Sequence, residues 1–143
     1  MENSKESMAS KIYNLRVNSL STESYAKFIV SEQGDELIFD SLGSEEVNGK
    51  LRHKAIVEKQ NIEGIVLGGG DVYLSESSLS LTGMSSDYGI VHQKILDEFL
   101  PLLVKEYKAR GIEVTKTKAD GKDFLRGNSK RVRDFISFLE NRV

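Results

Sequence analysis

Ile62-Glu-Gly-Ile-Val-Leu-Gly-Gly-Gly-Asp-Val-Tyr-Leu74 and the Leu79-Ser-Leu-Thr-Gly83 that follows it decide the class of fold. Ile62–Leu67 reads as a short apolar strand that runs into Gly68-Gly69-Gly70 and continues through Val72–Leu74. A turn at Ser75–Ser78 then returns the chain as Leu79–Gly83, which makes a hairpin. Another strand segment, not a helix, comes after the glycines, so neither the dinucleotide fingerprint nor the P-loop pattern is met. Glycine weakens a strand unless backbone must bend or approach something closely. The triplet therefore marks either a close approach to a ligand or a structural bend.

Upstream, Lys11–Val17, Tyr25–Val30 and Glu36–Phe39 carry the branched and aromatic residues of strands, the last two joined around Gln33-Gly34-Asp35. Val47–Gln60 changes to helical spacing through Val47, Leu51 and Ala55, with His53 in its first turns. Downstream, Val91, Ile95, Phe99, Leu102 or Leu103, and Tyr107 define the clearest helix, with Ser86 or Asp87 available as its cap. Pro101 falls inside this pattern and is expected to kink or divide it, and Gly111 to stop it. Ile112–Thr117 alternates as a strand, Ala119–Gly127 reads as a loop, and Ser129–Val143 as an amphipathic helix. The sum is an α/β (α+β) fold: a mixed β-sheet with helices packed on its faces.

The 143 residues suit one domain, 11–143, behind a polar, Ser-rich flexible tail, 1–10. With 38% hydrophobic and 29% charged residues the composition is globular, and zero cysteines exclude disulfides, thiolate nucleophiles and Cys-ligated zinc. No apolar run approaches the roughly 20 residues that span a bilayer, and no targeting signal is visible, so no membrane partner and a cytoplasmic location are expected. The formal charge of −2 gives no global attraction to nucleic acid. The stretch Lys122, Arg126, Lys130, Arg131 and Arg133 is locally basic but interleaved with Asp120, Asp123 and Asp134, which reads first as a solvated helix face and second as a binding patch.

Imidazole chemistry must use His53 or His92, the only histidines. His92 lies off the apolar stripe and reads as a surface or boundary residue. His53 lies between Arg52 and Lys54, charges that favour a neutral, nucleophilic ring where they approach it. The loop Gly83-Met-Ser-Ser-Asp-Tyr-Gly89 places backbone N–H groups and two hydroxyls at the start of the long helix, a ready phosphate site; the plainer reading is a helix cap.

Leu67-Gly-Gly-Gly70, the hairpin ending Leu81-Thr-Gly83, and Ser85-x-x-Tyr88-Gly89 resemble the core of the janus/ocnus family, whose best-known members are protein-histidine phosphatases. His53, in Arg52-His53-Lys54-Ala-Ile-Val, matches the family's catalytic histidine, and Lys11-Ile-Tyr-Asn-Leu-Arg-Val-Asn-Ser19 resembles its lysine-bearing first strand, with Lys27-Phe-Ile-Val as a competing match. The likeness covers roughly residues 11–118, discontinuously. It implies a metal-independent phosphatase without cofactor, acting on a histidine-phosphorylated protein. His53 would be general base or nucleophile, Lys11 would screen charge, and Ser85, Ser86, Asp87 and Tyr88 with Gly69 and Gly70 would hold the phosphate. Two family arginines are replaced, one by Asp71 after the glycines and one in the Glu45, Glu46, Val47 stretch, and the family's alanine before Tyr-Gly is Asp87. These changes remove positive charge, and they motivate the alternative of a non-catalytic relative that binds a protein, a phospho-ligand or nucleic acid.

Overall fold

A computed structural model describes residues 12–43, 52–85 and 88–121. The tail 1–10, Lys11, the start of the 47–60 helix, Ser86, Asp87, the basic stretch from Lys122 and the helix expected over 129–143 lie outside the described residues.

The described chain forms β1 (Ile12–Leu15), a 3₁₀ turn (Val17–Ser19), β2 (Tyr25–Gln33), β3 (Glu36–Gly43), α1 (His53–Lys59), β4 (Ile65–Ser75), β5 (Ser78–Thr82), β6 (Met84–Ser85), β7 (Gly89–Ile90), α2 (Gln93–Ala109) and β8 (Lys116–Asp120). One mixed eight-stranded sheet results, in the order β1-β3-β2-β4-β5-β8, with β7 attached to β4 and β6 to β7. The two hairpins, β2–β3 and β4–β5, are antiparallel, whereas both outer strands join in parallel, β1 on β3 and β8 on β5.

Alternation sorts the side chains. Ala26, Phe28 and Val30 of β2, Leu37 and Phe39 of β3, Val72 of β4, and Leu79 and Leu81 of β5 face α2, where they meet Ile95, Leu96, Phe99, Leu103 and Tyr107 in the main core. Phe39 stacks on Phe28 at 4.6 Å between centroids and meets Phe99 at 5.7 Å. The opposite face packs Ile29 and Leu42 against Ile56 of α1, bordered by Val57, Ile62, Val66 and Tyr88. A β-bulge interrupts the β2–β4 register between Val30 and Ser31, which pair with Gly68 and Val66, and leaves Leu67 as the extra residue.

Several expectations are corrected. β4 runs through the glycines as expected but starts at Ile65 rather than Ile62. Arg52 is extended (φ −136°, ψ 151°), so α1 starts at His53 and no continuous helix runs from Val47 to Gln60. The long helix begins at Gln93 and stays uninterrupted through Pro101, so proline does not divide it. The strand expected over Ile112–Thr117 is displaced to Lys116–Asp120, where it includes residues expected in a loop. Ile112 and Val114 are apolar because they pack on the main core, not because they alternate in a strand.

Candidate functional site

Gly69 and Gly70 sit where β4 changes partners. Asp71 still pairs with Thr82 of β5, whereas Gly69 pairs with Ile90 of β7. At this junction the neighbouring chain comes so close that a Cβ on Gly70 would overlap the Thr82 carbonyl oxygen. A Cβ on Gly69 would stand 2.9 Å from His53 Cδ2 and 3.2 Å from Ser85 Cβ. Glycine is thus required at both positions by close approach, and the crowding brings His53 and Ser85 together beside Gly69.

His53, the first residue of α1, is only 4% exposed and points at the β4 backbone, with Nε2 2.7 Å from the Gly70 carbonyl oxygen. A carbonyl can only accept, so Nε2 carries the hydrogen in this contact. Ser85 is 6% exposed, and its Oγ accepts the Tyr88 N–H at 3.1 Å. That bond occupies an amide expected to serve an anion.

Of the two candidate lysines, Lys27 is the one among the described residues. It lies on β2, the immediate neighbour of β4, directly opposite Asp71. Tyr25, Lys27, Ile29, Gly69, Asp71 and Tyr73 alternate onto the face that carries α1, so Lys27 and Asp71 stand one step along the strands from the glycine that His53 touches. Lys27 Nζ lies 3.4 Å from Asp71 Oδ1, which also accepts the Tyr25 hydroxyl at 2.9 Å, and Thr82 Oγ1 donates to Oδ2 at 3.3 Å. The Lys27 ammonium also stands 5.9 Å from the centre of the Tyr25 ring. Burial pulls the Lys27 pKa down, but its contacts with Tyr25 and Asp71 outweigh this and leave it above the ordinary lysine value. The Tyr25 hydroxyl is raised, by burial first and then by its bond to Asp71.

The geometry overturns one premise. α2 is not capped by Ser86 or Asp87: its N-cap is His92, whose Nδ1 accepts the Lys94 N–H at 3.1 Å. His92 is 2% exposed rather than a surface residue, and the Ser85–Tyr88 loop joins β6 to β7 instead of opening the helix, so it lacks the dipole of a helix terminus.

No protein-family model and no curated protein matches the chain. Its own residues therefore carry the reading of the site. Among the described residues no group of three or more His, Asp or Glu side chains is placed to hold a metal ion. No described helix is long and apolar enough to cross a membrane.

A cleft of about 420 Å³ beside the site is lined by Asp71, Thr82, Gly83, Met84, Asp120 and Gly121. Tyr25 and Thr82, which hold Asp71, were missed in the sequence. The spacings Tyr25-x-Lys27 and Asp71-x-Tyr73 put each pair on one strand face, but only the β2–β4 register sets the pairs opposite each other.

Proposed function

We propose that the chain is a metal-independent phosphatase acting on phosphohistidine, or more broadly on N-phosphoryl groups, in proteins. The observation that carries this reading is the contact of His53 Nε2 with the Gly70 carbonyl, beside Ser85. With Nε2 donating there, a neutral His53 ring would use Nδ1 in one of two ways. It would take a proton from the water that displaces the substrate imidazole from phosphorus, or attack phosphorus as the substrate P–N bond breaks, water then hydrolysing the phosphorylated ring. Ser85 and the loop that follows it would hold the phosphoryl oxygens, and Lys27 would face their charge. Phosphoryl transfer depends mainly on such positioning and charge neutralisation, so one imidazole with a cradle of donors is adequate machinery. The N-phosphoryl substrate class itself comes from the resemblance.

His53→Ala should lower phosphate release from a histidine-phosphorylated protein about a hundredfold or more. Circular dichroism should show the variant folded. Undiminished release from the folded variant would remove the proposal.

A second reading, a non-catalytic binding protein of the same architecture, is favoured by two observations: His53 is almost fully enclosed, and Lys27 is already paired with Asp71. Retention of a phosphohistidine peptide by the wild-type protein, with no phosphate released, would select it.

A further inference from the structure

We propose that Asp71 is a resident counter-anion for Lys27, a carboxylate that occupies the place an incoming oxyanion would take and thereby weakens the site's hold on free phosphate. The inference rests on the reading that Lys27 serves the His53 site.

Three donors fix the carboxylate. Tyr25 and Lys27 meet Oδ1, and Thr82 meets Oδ2, so Asp71 is held from both sides against the ammonium. The two charged side chains remain 23% and 20% exposed, which leaves the pair within reach of a solute. Asp71 also lines the cleft that opens between β5, β6 and the end of β8, so its carboxylate stands between that cleft and Lys27's ammonium as a contact of both. Binding to Lys27 then requires displacement of the carboxylate from the ammonium, which lowers affinity. For a hydrolase that leaves phosphate beside Lys27, this weak hold favours product release. Asp71 is a positioning residue here, since it acts on a ligand through Lys27.

The test is titration of the protein with inorganic phosphate by calorimetry, without any catalytic assay. Asp71→Asn keeps the size of the side chain and its acceptor for Tyr25 but removes the charge, and should tighten phosphate about fivefold, the scale of one partly exposed charge pair. In a Lys27→Met background the same substitution should bring no gain. A merely structural role for Asp71 would change the melting temperature and leave phosphate affinity where it was. Unchanged or weaker binding by Asp71→Asn, or a gain that persists without Lys27, overturns the proposal. A Lys27-dependent gain in a protein whose phosphate release is indifferent to His53→Ala would uphold this inference and remove the phosphatase reading instead.

Discussion

Where α2 covers the sheet, three phenylalanines, Phe28, Phe39 and Phe99, interlock with Leu79, Leu81, Leu96 and Leu103, and every one of them is buried. Where α1 covers it, apolar packing comes down to Ile29, Leu42 and Ile56 with a partly buried border, and the adjoining positions are Lys27, Asp71, Tyr25, Thr82 and the glycines that touch His53 and Thr82. Both faces belong to the same strands, so a single alternating sequence serves two purposes. Apolar residues of one parity supply cohesion, and the other parity is released to carry charge and close backbone contacts. The division teaches that the site is stabilised from behind: the rigid face fixes the strands, and polar groups in front need only satisfy one another.

The comparison breaks first if the α2 face is not the source of stability. Phe99→Ala removes a ring that meets both Tyr13 and Phe39, and should cost about 3–5 kcal/mol by urea denaturation. Phosphate affinity of the folded fraction should not change.

A smaller effect concerns Tyr107, whose hydroxyl donates to the Ser21 carbonyl oxygen at 3.3 Å. Burial raises its pKa to about 12 from 10.0, against a partial counter-pull from Arg110. The unfolded chain therefore loses this proton first. Tyr107's share of the stability is complete below pH 10 and should fall by about 2–3 kcal/mol as pH rises toward 12, so Tyr107→Phe should make the loss between pH 9 and 11.5 in denaturation curves smaller by about that amount.

The smallest effect sharpens the contrast. Thr82→Val deletes one hydrogen bond to Asp71 at nearly constant volume and should cost about 1 kcal/mol. A cost equal to that of Phe99→Ala would mean that the polar face is as structural as the apolar one.

Much of the apolar face was legible in the sequence, because burial writes a period. The three- and four-residue spacing of Ile95, Phe99, Leu103 and Tyr107 gives α2, and strand alternation gives both hairpins. The errors fall where the deciding interaction is not a period. Serine and aspartate are the customary helix caps, yet His92 Nδ1 performs that task, so the helix start was placed too early. Edge strand β8 buries no residue fully, so its alternation is invisible, while Ile112 and Val114 imitate a strand from an irregular segment. On the polar face, His53, Ser85, Gly69 and Gly70 were each picked out from sequence and do converge. The Lys27–Asp71 partnership was not, because it depends on the register between strands far apart in the chain.

The parallel attachment of β1 and β8 also bears on the order of assembly. The β2–β3 and β4–β5 hairpins join neighbours across short turns, at Gly34-Asp35 and Glu76-Ser77, and need little loop closure. Ser78 can meet Lys116 only after the whole of α2 has been laid down between them, and Ile12 can meet Glu36 only after β2 has been passed. Loop-closure entropy therefore delays both margins, and the two hairpins give the growing sheet its earliest template.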